Sequence, residues 1–259
     1  MSRLVRVELL KLHTIRPTYG LALAAAVITG LFAALEATRS GRKVAPISTA
    51  HGLATVSTAT GMAMIFAAIL GVLLASGEHR HTSATLTYLA TPRRDRVLAA
   101  KAIAAALVGF GYGILAGLVA TGTALVFVAA HHDPVALGAG TFVVHVVGAG
   151  LGAALLAAIG VAVGSLIRAQ IPGIVGVLVW CLVIESILGG AVKAIRPYLP
   201  YTVATTLGGA KLGAGAFGPG YTVTDQRALP FAVAATALAA LGGVLALIAA
   251  RTTVGHDVT

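Results

Sequence analysis

A chain of 259 residues that is 58% hydrophobic and 10% charged, with a mean hydropathy of +0.96, lies outside the soluble globular class, where roughly a quarter of residues are charged. Its apolar excess calls for a bilayer, so the formal charge of +10 reports topology and anionic headgroups before it reports nucleic acid. The single cysteine, Cys181, excludes an intramolecular disulfide framework, and the loops show little of the aromatic–basic interleaving that a nucleic-acid surface needs.

Residues 1–16 carry Arg3, Arg6, Glu8, Lys11 and Arg16 among Leu, Val and Ile. Leu4, Val5, Leu9, Leu12 and Ile15 form a broad apolar arc, with Glu8 inside it and Lys11 three residues further on, within pairing reach. Two readings are open: a basic flank that fixes orientation, or a helix lying in the membrane interface. No cleavable signal peptide is evident, because the first apolar run outlasts a signal core and lacks a small-residue cleavage site.

Six apolar runs follow, at 17–35, 52–75, 102–130, 140–167, 171–192 and 229–250, each near the ~20 residues that a helix needs to cross a bilayer. The expected fold is all-α: six transmembrane helices in a single domain, 1–259, with short re-entrant outer helices between the fifth and sixth. Pro17 suits a first helical turn. The three-residue link Arg168-Ala169-Gln170 makes the fourth and fifth runs antiparallel neighbours. With the N-terminus inside, eleven of the 18 Lys and Arg fall on the cytoplasmic side and seven outside, which places both termini in the cytoplasm.

Glycines recur every fourth residue at Gly109, Gly113 and Gly117, at Gly148 and Gly152, and at Gly160 and Gly164. That spacing collects them on one helix face, where backbones approach closely; it does not say whether the neighbour is in the same subunit. Residues 193–228 are apolar for a loop, so part of them is expected to dip into the outer membrane face, with Tyr198 and Tyr201 at headgroup level.

Chemistry finds little support. There is no GxxxxGK[ST], HExxH or GxSxG; Lys211 follows Gly208-Gly209-Ala210 without the phosphate-loop spacing. The chain is therefore expected not to be an enzyme and to hold no cofactor or metal. His131-His132-Asp133 reads as a polar turn before Pro134. His145 reads as a hydrogen-bonded interior side chain. Glu185 interrupts an apolar run, where a bare carboxylate is costly. It could face a polar cavity, pair with Lys193 or Arg196, or mark a helix break before Gly189-Gly190. Glu185 and His145 are the two candidate functional residues inside the membrane.

The segment 76–101 is the longest charged stretch, and Arg80, Arg93, Arg94, Arg96 and Lys101 hold it in water. Thr91-Pro92 reads as an N-cap followed by proline at the first helical position, starting a helix that enters the third run. A short cytoplasmic helix is expected over 78–90.

The order Glu78-His79-Arg80-His81-Thr82-Ser83, Leu89-Ala90-Thr91-Pro92-Arg93-Arg94 and Lys101 resembles type-2 ATP-binding-cassette transporter permeases of the bacterial exporter kind, which read E-x-R-x-G-T, then L-x-x-P-x-R and a lysine entering the third span. The opening Arg6-x-Glu8-Leu9-x-Lys11-Leu12-x-Thr14-x-Arg16 is similar to their interfacial helix. Thr82 and Ser83 stand where glycine and threonine are usual. The resemblance implies a permease subunit in the bacterial inner membrane, paired with a second permease subunit and membrane lipids. A separate nucleotide-binding subunit would bind ATP and magnesium, and nucleic acid would play no part. It also implies that 76–101 is a coupling segment. Glu78, Arg80, Thr82, Ser83, Arg93, Arg94 and Arg96 would then lie nearest the ATPase, beside an interfacial helix bearing Arg6, Glu8, Lys11 and Arg16. The substrate would be hydrophobic or amphipathic: a lipid, peptide or drug. The alternative is a stand-alone secondary carrier.

Overall fold

The structure, a computed structural model, describes residues 2–39, 49–80, 94–131, 139–167, 169–210 and 229–252. Among these every regular element is helical: α1 (Ser2–Thr14), α2 (Arg16–Arg39), α3 (Ala50–Ser57), α4 (Thr60–Arg80), α5 (Arg94–Ala130), α6 (Ala139–Ile167), α7 (Gln170–Val179), a π-helical turn (Trp180–Ile184), α8 (Glu185–Ala191), a 3-10 turn (Arg196–Tyr198), α9 (Pro200–Leu207) and α10 (Phe231–Thr252). Six helical stretches are long and apolar enough to cross a membrane: α2, α3–α4, α5, α6, α7–α8 and α10. They are called spans 1 to 6 below.

The chain passes from α1 to α2 with a break only at Ile15, whose N–H still bonds Lys11 O at 3.2 Å. Pro17 falls in the first turn of α2, where its missing N–H leaves no bond unmade. Span 2, read as one run over 52–75, is interrupted at Thr58 and Ala59. The cause is local chemistry. Hydroxyls of Ser57, Thr58 and Thr60 take the carbonyls of Leu53 (2.9 Å), Thr55 (2.6 Å) and Ser57 (2.7 Å). The backbone tightens to three-residue bonds, Thr58 N to Thr55 O at 3.1 Å and Ala59 N to Val56 O at 3.1 Å.

Span 5 is interrupted too, by the π-helical turn before Glu185. Of the three readings open for Glu185, the one that has it mark a break meets this turn immediately ahead of it, and the helix then runs through Gly189 and Gly190 to Ala191. After α5 begins at Arg94 it continues without a break for 37 residues, carrying Arg96 and Lys101 into span 3. Residues 81–93, including the expected 78–90 helix beyond Arg80 and the Thr91-Pro92 start, lie outside the described residues.

Spans 2 and 4 form the centre, and spans 1, 5 and 6 are the outer layer. Their large apolar side chains face outward, as at Leu23, Val27 and Leu31 of span 1 and Val175, Val179 and Val183 of span 5. That is the disposition of a protein dissolved in hydrocarbon.

The glycine pattern finds its partners within the chain. A Cβ added at Gly113 would fall on the carbonyl of Ala149, and one at Gly109 would lie 2.9 Å from Ala153 O, so the span 3 series faces span 4. Gly160 faces the Ala68 carbonyl and Gly164 lies against Val72, so the second half of span 4 faces span 2. Gly71 reciprocates against Ala157. Gly148 and Gly152 face the carbonyls of Leu207 and Ala204 in α9. Span 4 thus meets three elements backbone to backbone.

Leucine at Gly160 or Gly71 is expected to cost about 1–3 kcal/mol or more, since the colliding atoms are backbone and cannot swing away. Alanine at Gly111 or Gly20, where a Cβ meets open space, should leave stability unchanged or raise it by up to ~1 kcal/mol. Thermal unfolding in detergent would rank the four variants.

Candidate functional site

Polar side chains gather at the two ends of the bundle. At the α1 end the focus is Glu8, buried although it belongs to an amphipathic helix. The arc that includes Val5, Leu9 and Leu12 packs on span 3 rather than on lipid; Leu12 is fully buried, while Arg3, Arg6, Val7 and Leu10 are exposed. Glu8 sits inside that arc because its partner is there. Lys11 Nζ donates to Glu8 Oε1 at 2.7 Å, and Lys101 Nζ lies 3.5 Å from Glu8 Oε2. Lys101 also donates to the carbonyl of Leu74, at 3.4 Å, near the end of α4. One buried ammonium therefore joins α1 to the adjacent ends of spans 2 and 3. Tyr112 of span 3 adds a second tie in the same region, donating its hydroxyl proton to the Thr18 carbonyl of span 1.

Charges withdrawn from water are costly, and here each offsets the other. The Lys11–Glu8 contact is part-buried, and solvent screens it from the Lys11 side. Among the other α1-end residues singled out in the sequence, Arg6, Arg16 and Arg96 are exposed. Glu78 and Arg80 end α4 and Arg94 opens α5, with their side chains outside the described set; Thr82, Ser83 and Arg93 lie outside the described residues.

At the opposite end, Glu185 is buried and accepts four hydrogen bonds. Its Oε1 takes Tyr201 N–H at 2.7 Å and the Trp180 indole N–H at 2.9 Å; its Oε2 takes Thr202 N–H at 2.9 Å and the Thr202 hydroxyl at 3.1 Å. Tyr201 and Thr202 are the second and third residues of α9, whose first N–H groups have no partner within the helix. Leu199, at the N-cap position, offers no side-chain acceptor, and Glu185 replaces it from another helix. Lys193 and Arg196 do not pair with Glu185; Arg196 instead lays its aliphatic stem against Gly189. Trp180 reaches Glu185 across the π-helical turn.

Tyr198 is exposed, as a residue at headgroup level would be, but Tyr201 is buried against Gly61 of span 2. A wholly apolar α9 face is the reason: Tyr201, Val203, Ala204 and Leu207 all turn into the bundle. Past its last residue, Leu207, and the cap Gly208, the chain leaves the helix through Gly209, in the left-handed region at φ 86°, with the His145 ring where a Cβ would stand. His145 Nδ1 is 2.7 Å from Ser57 Oγ, whose single proton is directed to Leu53 O at 2.9 Å. That arrangement has His145 donating to Ser57 and joining spans 2 and 4. His145 and Glu185 are thus engaged separately, with α9 between them.

His131 is exposed, stacks on Phe127 and shares a 2.8 Å contact with the Phe127 carbonyl, while His132 and Asp133 lie outside the described residues. No three metal-ligating side chains converge among the described residues. Sequence reasoning passed over Trp180 and Ser57, which carry no motif; serine beside threonines in an apolar run was the available signal for Ser57.

The chain is an all-helical, multi-span membrane protein. Compared with known proteins, it matches no family model and no curated protein.

Lys101→Met is expected to cost about 1–3 kcal/mol by leaving Glu8 Oε2 without its cation, while Lys11 still pairs with Oε1. Pairing it with Glu8→Gln, which removes both charges, should recover most of that loss in a detergent thermal melt. Equal midpoints for the single and double variants would show that the two charges do not act together.

Proposed function

We propose that this protein is the transmembrane permease subunit of an ATP-driven exporter of the type-2 ATP-binding-cassette kind, drawing energy from a separate nucleotide-binding ATPase. The observation that carries the reading is the joint at Lys101. α1 and the adjacent ends of α4 and α5 share one buried charge network, and those two helix ends flank the charged segment 81–93. A partner bound there would act on three elements together, so closure of an ATPase would pass into the bundle as a rigid-body tilt.

In this reading the α1 end faces the cytoplasm of a bacterial cell, with both termini inside, and α1 lies in the membrane interface with Arg3, Arg6, Val7 and Leu10 outward. The 3-10 turn and α9 are re-entrant from the outer face. The outward apolar sides of spans 1, 5 and 6 meet lipid and a second permease subunit. Glu78, Arg80, Thr82, Ser83, Arg93, Arg94 and Arg96 make the ATPase contact; ATP and magnesium belong to the partner, and the cargo is a hydrophobic or amphipathic molecule. A stand-alone carrier would call on Glu185 and His145 for coupling, and both are already held by neighbours within the chain.

Affinity purification of the tagged chain from native membranes should recover a phosphate-loop ATPase. Glu78→Lys should lower that recovery about tenfold, the scale of a charged interface anchor. Unchanged recovery with Glu78→Lys would remove Glu78 from the contact. Cargo movement without any ATPase would reject the exporter reading.

A further inference from the structure

Among the described residues, two unlike kinds of attachment hold α9: packing without hydrogen bonds on spans 2, 4 and 6, and hydrogen bonds to span 5. Toward spans 2 and 4 it meets glycine: the Leu207 and Ala204 carbonyls lie over Gly148 and Gly152, and the hydroxyl edge of Tyr201 and the Thr205 methyl lie over Gly61. The hydroxyls of Thr205 and Thr206 turn back to carbonyls of α9 itself, those of Thr202 and Val203, both at 2.8 Å. Toward span 5 the attachment is polar: three donors of α9 converge on the Glu185 carboxylate. Van der Waals contact between glycine-lined backbones has no direction and permits sliding, whereas a buried cap costs its full desolvation penalty if the donors are pulled away.

Span 5 is also the span with a built-in place to bend. The π-helical turn Trp180–Ile184 ends where Glu185 begins, and the Trp180 indole bonds the same carboxylate from the turn's other end. Turns of this kind are sites at which helices kink.

From this contrast we propose that α9 is fastened to span 5 and only seated on spans 2 and 4, so that α8 and α9 swing as one body about the π-helical turn, with Glu185 as the positioning residue. A movement of span 5 then carries α9 across the ends of spans 2 and 4 with its three hydrogen bonds to Glu185 kept.

Cys181 reports on this. It lies within the turn, buried in the same apolar cluster as Tyr201. The test is the rate of N-ethylmaleimide labelling of Cys181 in proteoliposomes of the full chain. Glu185→Ala frees α9 from span 5 and should raise the rate at least about tenfold, the order by which losing a buried acceptor shifts a local equilibrium. Gly148→Ala unseats α9 from span 4 while leaving it fastened, and should label as slowly as the wild type. Any other ranking overturns the proposal; the reverse one would mean that the glycine seat, and not the carboxylate, holds α9. If Glu185→Ala does not fold, Glu185→Gln keeps the volume and one acceptor and should raise the rate about threefold by the same argument. The measurement needs neither cargo nor ATPase, so its failure would leave the exporter reading standing, and failure of that reading would leave this one untouched.

Discussion

Backbone contact along span 4 is the constraint from which the rest of the arrangement follows. In hydrocarbon no hydrophobic effect drives helices together, so close packing of backbones must do the work. Gly160 and Gly164 let span 4 meet span 2, Gly109 and Gly113 let span 3 meet span 4, and Gly148 and Gly152 admit α9. The contacts of span 4 with spans 2 and 3 interlock over several turns and make the centre rigid, whereas the eight residues of α9 meet that centre only at its end. This arrangement leaves spans 1, 5 and 6 on the periphery, where apolar side chains face outward.

Polar groups then mark where the rigid centre connects to elements that are not part of it. At one end Lys101 gathers α1 with spans 2 and 3; at the other Glu185 gathers α9 with span 5, and His145 meets Ser57 where span 2 is interrupted. Each of these side chains has a partner in the chain, as an environment without water requires. The two ends differ in kind. The α1 joint is an ion pair reinforced by a carbonyl, whereas the α9 joint is a carboxylate capping a helix that has no acceptor of its own. Under the proposed permease function, the first suits a point where force enters and the second suits an element that moves with its span.

The spans were legible because apolar composition and length decide them, and the glycine spacing announced close packing, though not with which neighbour. Glu8 inside an apolar arc read as a flaw in an interfacial helix. It is instead the sign that the arc is covered by protein, which needs the position of Lys101 some ninety residues away to recognise. The interruption of span 2 lay in its hydroxyls, visible as Ser57, Thr58 and Thr60 but weaker than the hydropathy around them. Glu185 was conspicuous, yet two of its four partners are backbone N–H groups, which no sequence pattern distinguishes, and the other two are the Trp180 and Thr202 side chains, which carry no motif. Tyr201 departed from the expected headgroup position because α9 turns its apolar face inward, and an eight-residue helix is too short for hydropathy alone to orient.

The central claim is that this protein is driven from its α1 end by another. Its most direct measurement places the purified chain in proteoliposomes, with and without the ATPase proposed to drive it, and follows the movement of a fluorescent amphiphile. The account predicts movement only with ATPase, ATP and magnesium together, and none from an ion or proton gradient. Movement by the chain alone down such a gradient would contradict it.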